Sequence, residues 1–378
     1  MTKTTTIDWR MGVEVELMAP PGKSRLDLAR AIARSYEAEV ERFFHPQSEP
    51  SLVPGSSIFH NLTLGFRIAH RKGGWIASCV DDLSLQSDLN REAAPEPGWY
   101  RILSDDERLL RLVANHCNAH APGDQVLNPL ANLFSTAAET GPDGMFRVND
   151  SQGSTIAIAA PLPGERERAC ELVTAPLDSH HQQHLDRLLG AARALGFYAP
   201  IEGATHLHFD AMALQSAGAM ANLVHLWQTH APCLKRLVGT NPHCRRLGLW
   251  PGELFEVVAA PDFRTLSWPE AQARLKKVPL TKFCDLNLVN CVLALPTRNT
   301  VEIRILPVHL ESGPLMEAAA LFAALLRRAR QPEPVFPAPE SEDVHCLLDQ
   351  LSISGKQREQ WLDQVLVATK PVELVRNI

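Results

Sequence analysis

The chain has 378 residues, 45% of them hydrophobic, and a formal net charge of -6 at pH 7. This length and apolar content can build a sizeable core, as one large domain or two of ordinary size. Because the net charge is negative and the lysines and arginines are scattered, nucleic acid is not expected as a partner. Because no apolar run approaches the ~18 residues of a membrane span, a membrane is not expected either.

The start of the chain and its cysteines indicate the compartment. Asp8 and Arg10 interrupt the N-terminal segment before an apolar run of signal-peptide length can form. The eight cysteines include no CxxC pair, and most lie in apolar stretches, where a free thiol behaves as a small hydrophobic group. We therefore expect a protein of the reducing cytoplasm.

The first quarter of the chain predicts strands and one helix. Thr6 to Met18 alternates apolar and polar residues, which is typical of a strand. Ser24 is a good N-cap for an amphipathic helix over Arg25 to about Val40. His60 to Ile68 and Trp75 to Val80 are predicted to pair as a hairpin.

The middle of the chain contains a less regular segment between further elements. From Ser87 to about Arg168, repeated Pro and Gly clusters break up one predicted helix around Asp105 to Cys117, so this segment is interpreted as an insertion. Ala169 to Val173 predicts a strand, His181 to Leu195 a helix and Ala204 to Asp210 another strand.

The last part predicts a long helix and a second hairpin. Ala211 to Val238 is helical in pattern, with a kink or break expected at Pro232 because its ring cannot join the hydrogen-bond ladder. Phe283 to Leu295 and Thr300 to Leu306 are rich in β-formers and are predicted to pair across the turn Pro296 to Asn299.

Strands and helices are intermixed along the chain, and neighbouring strands are joined by short turns. This order predicts an α+β fold with a largely antiparallel sheet and helices packed on one face. Leu315 to Arg330 predicts a strong helix. We expect one domain over residues 1–330 with an insertion at about 87–168, and a Pro-rich linker and short helical tail over 331–378 that packs on it.

Three predicted strands each carry two polar residues separated by one apolar residue. They are Glu14-Val-Glu16, His206-Leu-His208 and Glu302-Ile-Arg304. Residues at i and i+2 of a strand point the same way, about 6 to 7 Å apart, so each pair projects two functional groups towards one cleft. A single such pair is also common on a solvated sheet face. Because several of these charges lie in very apolar strands, something must compensate them.

A series of motifs along the chain resembles the amidoligase family. The series is Gly12-Val-Glu-Val-Glu, Trp75 with Asp82-Leu-Ser84, Glu171 in Glu-Leu-Val-Thr-Ala-Pro, then His-x-His and Glu-x-Arg. It spans roughly residues 11 to 310. Each motif is short, but five in this order seldom arise by chance. The skeleton of ExE, HxH and ExR is also similar to that of glutamine synthetase and the glutamate-cysteine ligases.

The resemblance implies an ATP-dependent carbon-nitrogen ligase with a catalytic domain of glutamine synthetase type. Such an enzyme converts a small-molecule or peptide carboxylate to an acyl phosphate and passes the acyl group to an amine. It would use ATP with Mg²⁺ or Mn²⁺, which prefer the oxygen ligands of clustered carboxylates. The implied metal ligands are Glu14, Glu16, Glu171, His206 and Glu302. The implied catalytic residues are Glu302 with the phosphate contacts His208 and Arg304.

Four further residues are weaker candidates. Lys282 and Asn287 resemble the family's segment before the last strand pair and could contact substrate or nucleotide, although strand Lys and Asn are also commonly solvated. Arg245 and Arg246 resemble a basic position of the family after the long helix, with Arg245 favoured as a nucleotide contact. A basic pair near a helix end is equally what the helix dipole favours.

Other polar clusters are given ordinary interpretations. His180, His181 and His184 resemble a metal cluster on a helix, but Asp186 is the only carboxylate at helical spacing, so solvated histidines are predicted. The Asp-Leu-Ser motif at Asp82 is equally typical of a turn. The chain departs from the family's pattern at two points. The insertion is long, and Thr-Ala stands before a proline where the family's pattern has Ser-Pro. Both departures bear on substrate specificity.

Two other classes of function remain open at this point. A metal-dependent hydrolase could use His206 and His208 with His309 as a third imidazole, although in such barrels the HxH pair lies on the first strand. A non-catalytic protein could retain the ligase fold, although its set of carboxylates is intact. The sequence does not define the acid, the amine or the oligomeric state.

Overall fold

A computed structural model describes residues 7–50, 58–244, 246–293 and 298–368. In these ranges it contains twelve strands and eleven helices. The strands are β1 (Met11–Met18), β2 (Glu39–Pro50), β3 (Ile58–Ala69), β4 (Trp75–Val80), β5 (Tyr100–Leu103), β6 (Ala138–Thr140), β7 (Phe146–Asn149), β8 (Thr155–Pro161), β9 (Ala169–Thr174), β10 (Ala204–Asp210), β11 (Leu286–Asn287) and β12 (Thr300–Pro307). The helices are α1 (Arg25–Tyr36), α2 (Glu107–His116), α3 (Asn128–Leu133), α4 (His181–Ala194), α5 (Ala217–Val238), α6 (Gly252–Ala259), α7 (Trp268–Leu275), α8 (Val289–Leu293), α9 (Ser312–Arg330), α10 (Val344–Gln350) and α11 (Gly355–Ala368).

All twelve strands belong to one sheet, and every described strand pair is antiparallel. The order is β11-β12-β10-β1-β9-β4-β3-β5-β8-β7-β6, and β2 pairs with β3 along its whole length. The prediction of an α+β fold with a largely antiparallel sheet is therefore confirmed. Among the described helices, none is both long and apolar enough to cross a membrane.

One face of the central strands is apolar and packs on helices. Val13, Val15, Leu207 and Ile303 are at most 1% exposed and share a single core cluster with the buried residues of α1, α4, α5 and α9. Alternation along the strands then turns the polar residues of β1, β10 and β12 to the other face. The helices therefore lie on one side of these strands, and the polar pairs lie on the other.

The segment between β4 and β9 forms part of the sheet. Its strands β5, β6, β7 and β8 extend the sheet beyond β3, with α2 and α3 packed beside them. The helix α2 begins after Asp106, whose side chain accepts a hydrogen bond from the Arg108 N–H. The predicted insertion at 87–168 is thus an ordered extension of the same sheet.

Three sequence predictions of local structure were wrong in part. The first helix ends at Tyr36, and the following residues start β2, a strand that the sequence did not predict. The helix α5 continues through Pro232 without a break, because its buried surface on nearly all sides outweighs one missing hydrogen bond. Of the predicted strand Phe283 to Leu295, residues 294–295 lie outside the described ranges, and within 283–293 only Leu286–Asn287 is a strand, followed by the helix Val289–Leu293. Within the predicted turn Pro296 to Asn299, residues 296–297 lie outside the described ranges.

The Pro-rich segment after α9 runs along α5, fixed by polar residues of that helix. Asn222 donates to the carbonyls of Ala329, Gln331 and Glu333, and the His225 ring bonds the Val335 carbonyl at 2.7 Å. Helices α10 and α11 then also contact α5. The division into one domain and a tail stays a prediction.

Candidate active site

Strand register brings the predicted polar residues together on one face of the sheet. Residues directly opposite each other in antiparallel strands share a face. Three such pairs define the site: Glu14 with His206, Glu16 with Glu171, and His208 with Glu302. Strands distant in sequence therefore deliver six functional side chains to one place.

Glu14 lies at the centre of a carboxylate and histidine cluster. Its Oε2 is 3.2 Å from His206 Nδ1, and its Oε1 is 3.2 Å from His208 Nε2. Glu302 Oε1 lies 3.6 Å from His206 Nδ1 and 3.9 Å from His208 Nε2. The two glutamates thus face the same two imidazoles.

Asp82 joins a second cluster beside the first. After β4 ends, the chain brings the buried Asp82 carboxylate to Glu16 and Glu171. Ser84 fixes this carboxylate, because its N–H donates to Oδ1 at 2.8 Å and its hydroxyl donates to Oδ2 at 2.7 Å. Glu16 accepts a hydrogen bond from the Ala204 N–H at 2.8 Å. The sequence left open whether Asp82 belongs to the site or only to a turn, and the structure places its carboxylate beside Glu16 and Glu171.

These residues form three overlapping groups of candidate metal ligands among the described residues. In each group the ligand atoms lie within 4.8 Å of one another, close enough for the three side chains to converge on one ion. The groups are Glu14, Glu171 and His206; Glu14, His208 and Glu302; and Glu16, Asp82 and Glu171. Shared ligands of this kind suit a cluster of ions better than a single one.

The carboxylates of the site are not all compensated by protein groups. Burial first, and then the neighbouring acids Glu14, Asp82 and Glu16, raise the pKa of Glu171 well above its ordinary value. Burial and Asp82 likewise raise the pKa of Glu16. A buried carboxylate held in its charged form needs a cation. Divalent cations between these groups would supply the missing charge.

The pKa values of the two histidines are shifted in opposite directions. Burial, together with Arg304, lowers the pKa of His206. For His208, burial acts in the same direction, but Glu14 and Glu302 outweigh it and raise the pKa to about 9. His206 Nε2 is buried and has no hydrogen-bond partner among the described residues. A neutral imidazole with a free buried nitrogen fits a metal ligand, and a cationic one fits a phosphate contact.

Cationic residues flank the cluster on the side of β11 and β12. Arg304 pairs through Nη1 with Glu302 Oε1, and its buried Nε has no hydrogen-bond partner among the described residues. Asn287 is buried and donates to Glu302 Oε2 at 2.7 Å, so it orients this carboxylate and is not solvated. Arg246 Nη1 lies 3.5 Å from Asp82 Oδ1. These groups leave positive charge beside the carboxylates.

The remaining candidates have different outcomes. Lys282 lies at the same side, where partial burial, Arg246 and Arg304 lower its pKa. Arg245 lies outside the described residues. His181 is buried and bonds the carbonyls of Trp9 and Leu177, so the prediction of a solvated ring was wrong there. His309 belongs to none of the ligand groups of the described residues.

His45 was not among the residues that the sequence singled out. The pH dependence of stability tests its protonation beside the acidic residues of the site. Burial lowers its pKa to about 4, although Asp81, Asp82 and Glu14 act in the opposite direction. The unfolded chain binds a proton near pH 6.5, so this residue destabilises the fold as the pH falls from about 6.5 towards 4. Between pH 7.5 and 5, the wild type should lose about 1–2 kcal/mol more unfolding free energy than His45→Gln, measured by urea titration at both values. Equal losses would contradict a lowered pKa at His45.

Comparison with known proteins relates the chain to one family. A family model described as "Putative amidoligase enzyme" matches residues 7–259, more than half of the chain. A search of the curated proteins gives no significant match. A solved structure described as a crystal structure of a novel glutamine synthase homolog shares 15% identity, with 92% of this chain and 70% of that chain covered. Its TM-score of 0.28 is too low to carry an argument about the fold.

The family match covers most of the candidate site. It includes β1, β9 and β10, which carry Glu14, Glu16, Glu171 and both histidines. It also includes β4, which Asp82 follows in the chain. Glu302 and Arg304 lie beyond the matched range, and the pairing of β12 with β10 joins them to the site. The order of motifs and the family model agree, and the chain belongs to the amidoligase family.

Proposed function

We propose that this protein is an ATP-dependent carboxylate-amine ligase that acts through an acyl phosphate. The observation that carries the proposal is the set of three overlapping ligand groups on one sheet face, with cationic side chains directly beside it. Carboxylate-rich groups with few imidazoles suit Mg²⁺ or Mn²⁺, and adjoining cations suit a polyphosphate. Together they describe a site for metal-bound ATP.

The donor set fits such ions on two observations of the site itself. Burial and neighbouring acids raise the pKa of Glu16 and of Glu171 well above the ordinary value, so their charged forms lack a counter-charge in the protein, and His206 offers a buried nitrogen with no partner among the described residues. The metal ligands would be Glu14, Glu16, Asp82, Glu171, His206 and Glu302. When bound, the ions would screen the charge of the triphosphate and of the phosphoryl group in transfer.

The protein's own residues would hold the reactants and stabilise charge. His208, Arg304 and Lys282 would bind phosphate oxygens, with Arg304 placed to offset charge that develops on the transferred group. A carboxylate oxygen of the acid attacks the γ-phosphorus, and ADP leaves with the electron pair of the broken P–O bond. The amine nitrogen then attacks the acyl carbon, phosphate leaves with the C–O electron pair, and one proton is released. Positioning and exclusion of water carry this chemistry.

The two alternative functions receive less support from the site. In the hydrolase alternative His309 was the candidate third imidazole, but it joins no ligand group of the described residues, and carboxylates outnumber imidazoles in those groups. A non-catalytic protein has no need to keep several poorly compensated buried carboxylates, which cost stability. The ligase proposal accounts for the clustered carboxylates and for the histidines beside them.

The test is a trapping assay with purified full-length protein. With ATP, Mn²⁺ and a panel of carboxylic acids, hydroxylamine captures an acyl phosphate as a hydroxamate. We expect ADP and hydroxamate in equal amounts with at least one acid, and neither product when EDTA removes the metal. Release of ADP without hydroxamate would favour another phosphotransferase reaction. No ATP binding and no ADP with any acid would overturn the proposal, and metal-dependent hydrolysis without ATP would favour the hydrolase.

A further inference from the structure

An ion pair at the edge of the sheet joins the long helix α5 to the segment that leads into β11. Lys235 Nζ, in the last turn of α5, lies 2.5 Å from Asp285 Oδ2. The Asp285 side chain is 2% exposed, whereas the Lys235 side chain is 34% exposed. Oδ2 is buried and makes no well-aligned hydrogen bond with the described residues, so its contact with Lys235 is one between charges. The buried carboxylate therefore depends on Lys235 for its counter-charge.

Asp285 ties two other parts of the chain together. Its N–H donates to the Gly248 carbonyl at 2.9 Å, and its Oδ1 accepts the Gly248 N–H at 3.1 Å. Its own carbonyl accepts the Arg304 N–H at 3.0 Å. Asp285 thus links the loop between α5 and α6 to the strand β12.

The two linked segments carry side chains of the candidate active site. Arg246 lies two residues before Gly248, and Lys282 and Asn287 lie three residues before and two residues after Asp285. Arg246 and Lys282 both lie against the Phe283 ring, 5.7 and 5.4 Å from its centroid. A shift of Asp285 would therefore move two cations of the site together with the amide that orients Glu302.

The two partners of the pair differ in what their removal leaves behind. Without the Lys235 charge, Asp285 is a buried anion with no counter-charge, which is costly, so its segment would relax towards water. Without the Asp285 charge, the Lys235 ammonium can turn to solvent on its flexible stem. When both residues are neutral, no buried charge is left uncompensated, and an asparagine at position 285 still accepts the Gly248 N–H.

We propose that Lys235 is a positioning residue for the phosphate-binding side of the site. By neutralising Asp285, it holds in place the segment from which Lys282 reaches phosphate beside Arg304. Lys235 itself touches no reactant. This role rests on the phosphate contacts of the function proposed above. It goes beyond the favourable interaction that any cation has with the C-terminus of a helix, which the neighbouring Arg236 shares.

Binding of inorganic tripolyphosphate in the presence of Mn²⁺ tests the pair without turnover. In calorimetric titrations of the full-length protein, Lys235→Gln should bind about tenfold more weakly than the wild type or worse, whereas Asp285→Asn and the double variant should stay within about threefold. Lys235→Arg should keep the wild-type affinity because it retains the charge. The matched control is Arg236→Gln, since Arg236 is 33% exposed and pairs at 2.7 Å with Glu342, in the segment before α10. This control should bind normally.

Urea unfolding of the same variants separates positioning from stability. If folded Lys235→Gln keeps the wild-type affinity and is only less stable, the pair is structural and the positioning role is wrong. If Asp285→Asn or the double variant loses as much affinity as Lys235→Gln, an uncompensated charge is not the cause, and the role is wrong as well.

The outcomes also separate this role from the ligase function. If the wild type forms hydroxamate but Lys235→Gln binds tripolyphosphate normally, the ligase function stands and the positioning role fails. If the expected order of affinities is found but no acid is activated, the ligase function fails and the positioning role stands. If the wild type binds no tripolyphosphate, the positioning role is wrong, and the hydroxylamine assay alone decides the ligase function.

Discussion

Glu302→Gln should reduce ATP-dependent turnover on the order of 10²- to 10³-fold while leaving the fold intact. Glu302 faces both imidazoles of the site, pairs with Arg304 and is oriented by Asn287. The amide keeps the size and an oxygen acceptor but removes the charge that would hold a cation. Metal-dependent charge stabilisation is worth several kcal/mol, and each 1.36 kcal/mol corresponds to about a factor of ten in rate. Turnover would be followed as ADP or hydroxamate, and Mn²⁺ affinity by titration.

The control for Glu302→Gln is the same substitution on a distant edge strand. Glu139 of β6 is half exposed and pairs with Arg147 at 3.2 Å. Glu139→Gln should retain wild-type turnover and Mn²⁺ affinity, because an exposed pair contributes little. Wild-type turnover and metal affinity in Glu302→Gln would remove Glu302 from the metal site. A loss of turnover with unchanged metal affinity would instead assign it to contacts with phosphate through Arg304.

The alternation of single strands could be predicted from the sequence, and with it much of the candidate site. Glu14 with Glu16, His206 with His208, and Glu302 with Arg304 each need only the period of two that any strand imposes. The neighbours of those strands could not be predicted in this way. The pairing of β1 with β9 and β10 joins segments about 150 to 200 residues apart. Local residue spacing does not indicate contacts over such distances.

Residues outside regular strands show where sequence reasoning failed. Asp82 and Asn287 are typical of turns and exposed positions, and nothing local indicates that both are buried. Their burial is tertiary, since Asp82 meets Glu16 across the sheet and Asn287 bonds Glu302. The Asp82-Leu-Ser84 motif was the one available signal for Asp82. His45 lies on β2, a strand whose pattern is obscured by prolines and charged residues.

Two elements differ from what local propensity predicts, because packing outweighs propensity in both. Pro232 lies inside α5, a helix buried on nearly every side, where many apolar contacts compensate for one lost hydrogen bond. The residues after Asn287 favour a strand by composition, yet Val289–Leu293 forms a helix whose Cys291 and Val292 are buried. Short apolar segments fit either state, and the tertiary environment decides between them.

Asp81→Ala should lower the free energy of unfolding by about 3–5 kcal/mol, although its neighbour Asp82 is the candidate metal ligand. The Asp81 side chain is fully buried, and Oδ1 accepts from Arg166 Nη2 at 2.6 Å. The same guanidinium donates to the carbonyls of Asp82 and Leu85. Removal of the Asp81 carboxylate leaves a buried cation without this counter-charge, which is the costly way to break a buried pair. Urea unfolding monitored by tryptophan fluorescence measures the loss.

A surface pair separates this effect from an ordinary loss of charge. Glu39 and Arg71 form an ion pair at 2.8 Å, but both side chains are exposed, so Glu39→Ala should cost less than about 1 kcal/mol. Equal losses for the two variants would contradict a buried structural role for Asp81. Arg166 also fixes the backbone at Asp82, so folded Asp81→Ala should bind Mn²⁺ more weakly as well. Normal Mn²⁺ affinity combined with the stability loss would show that Ser84 alone suffices to position Asp82, and that the ion pair serves the fold and not the metal site.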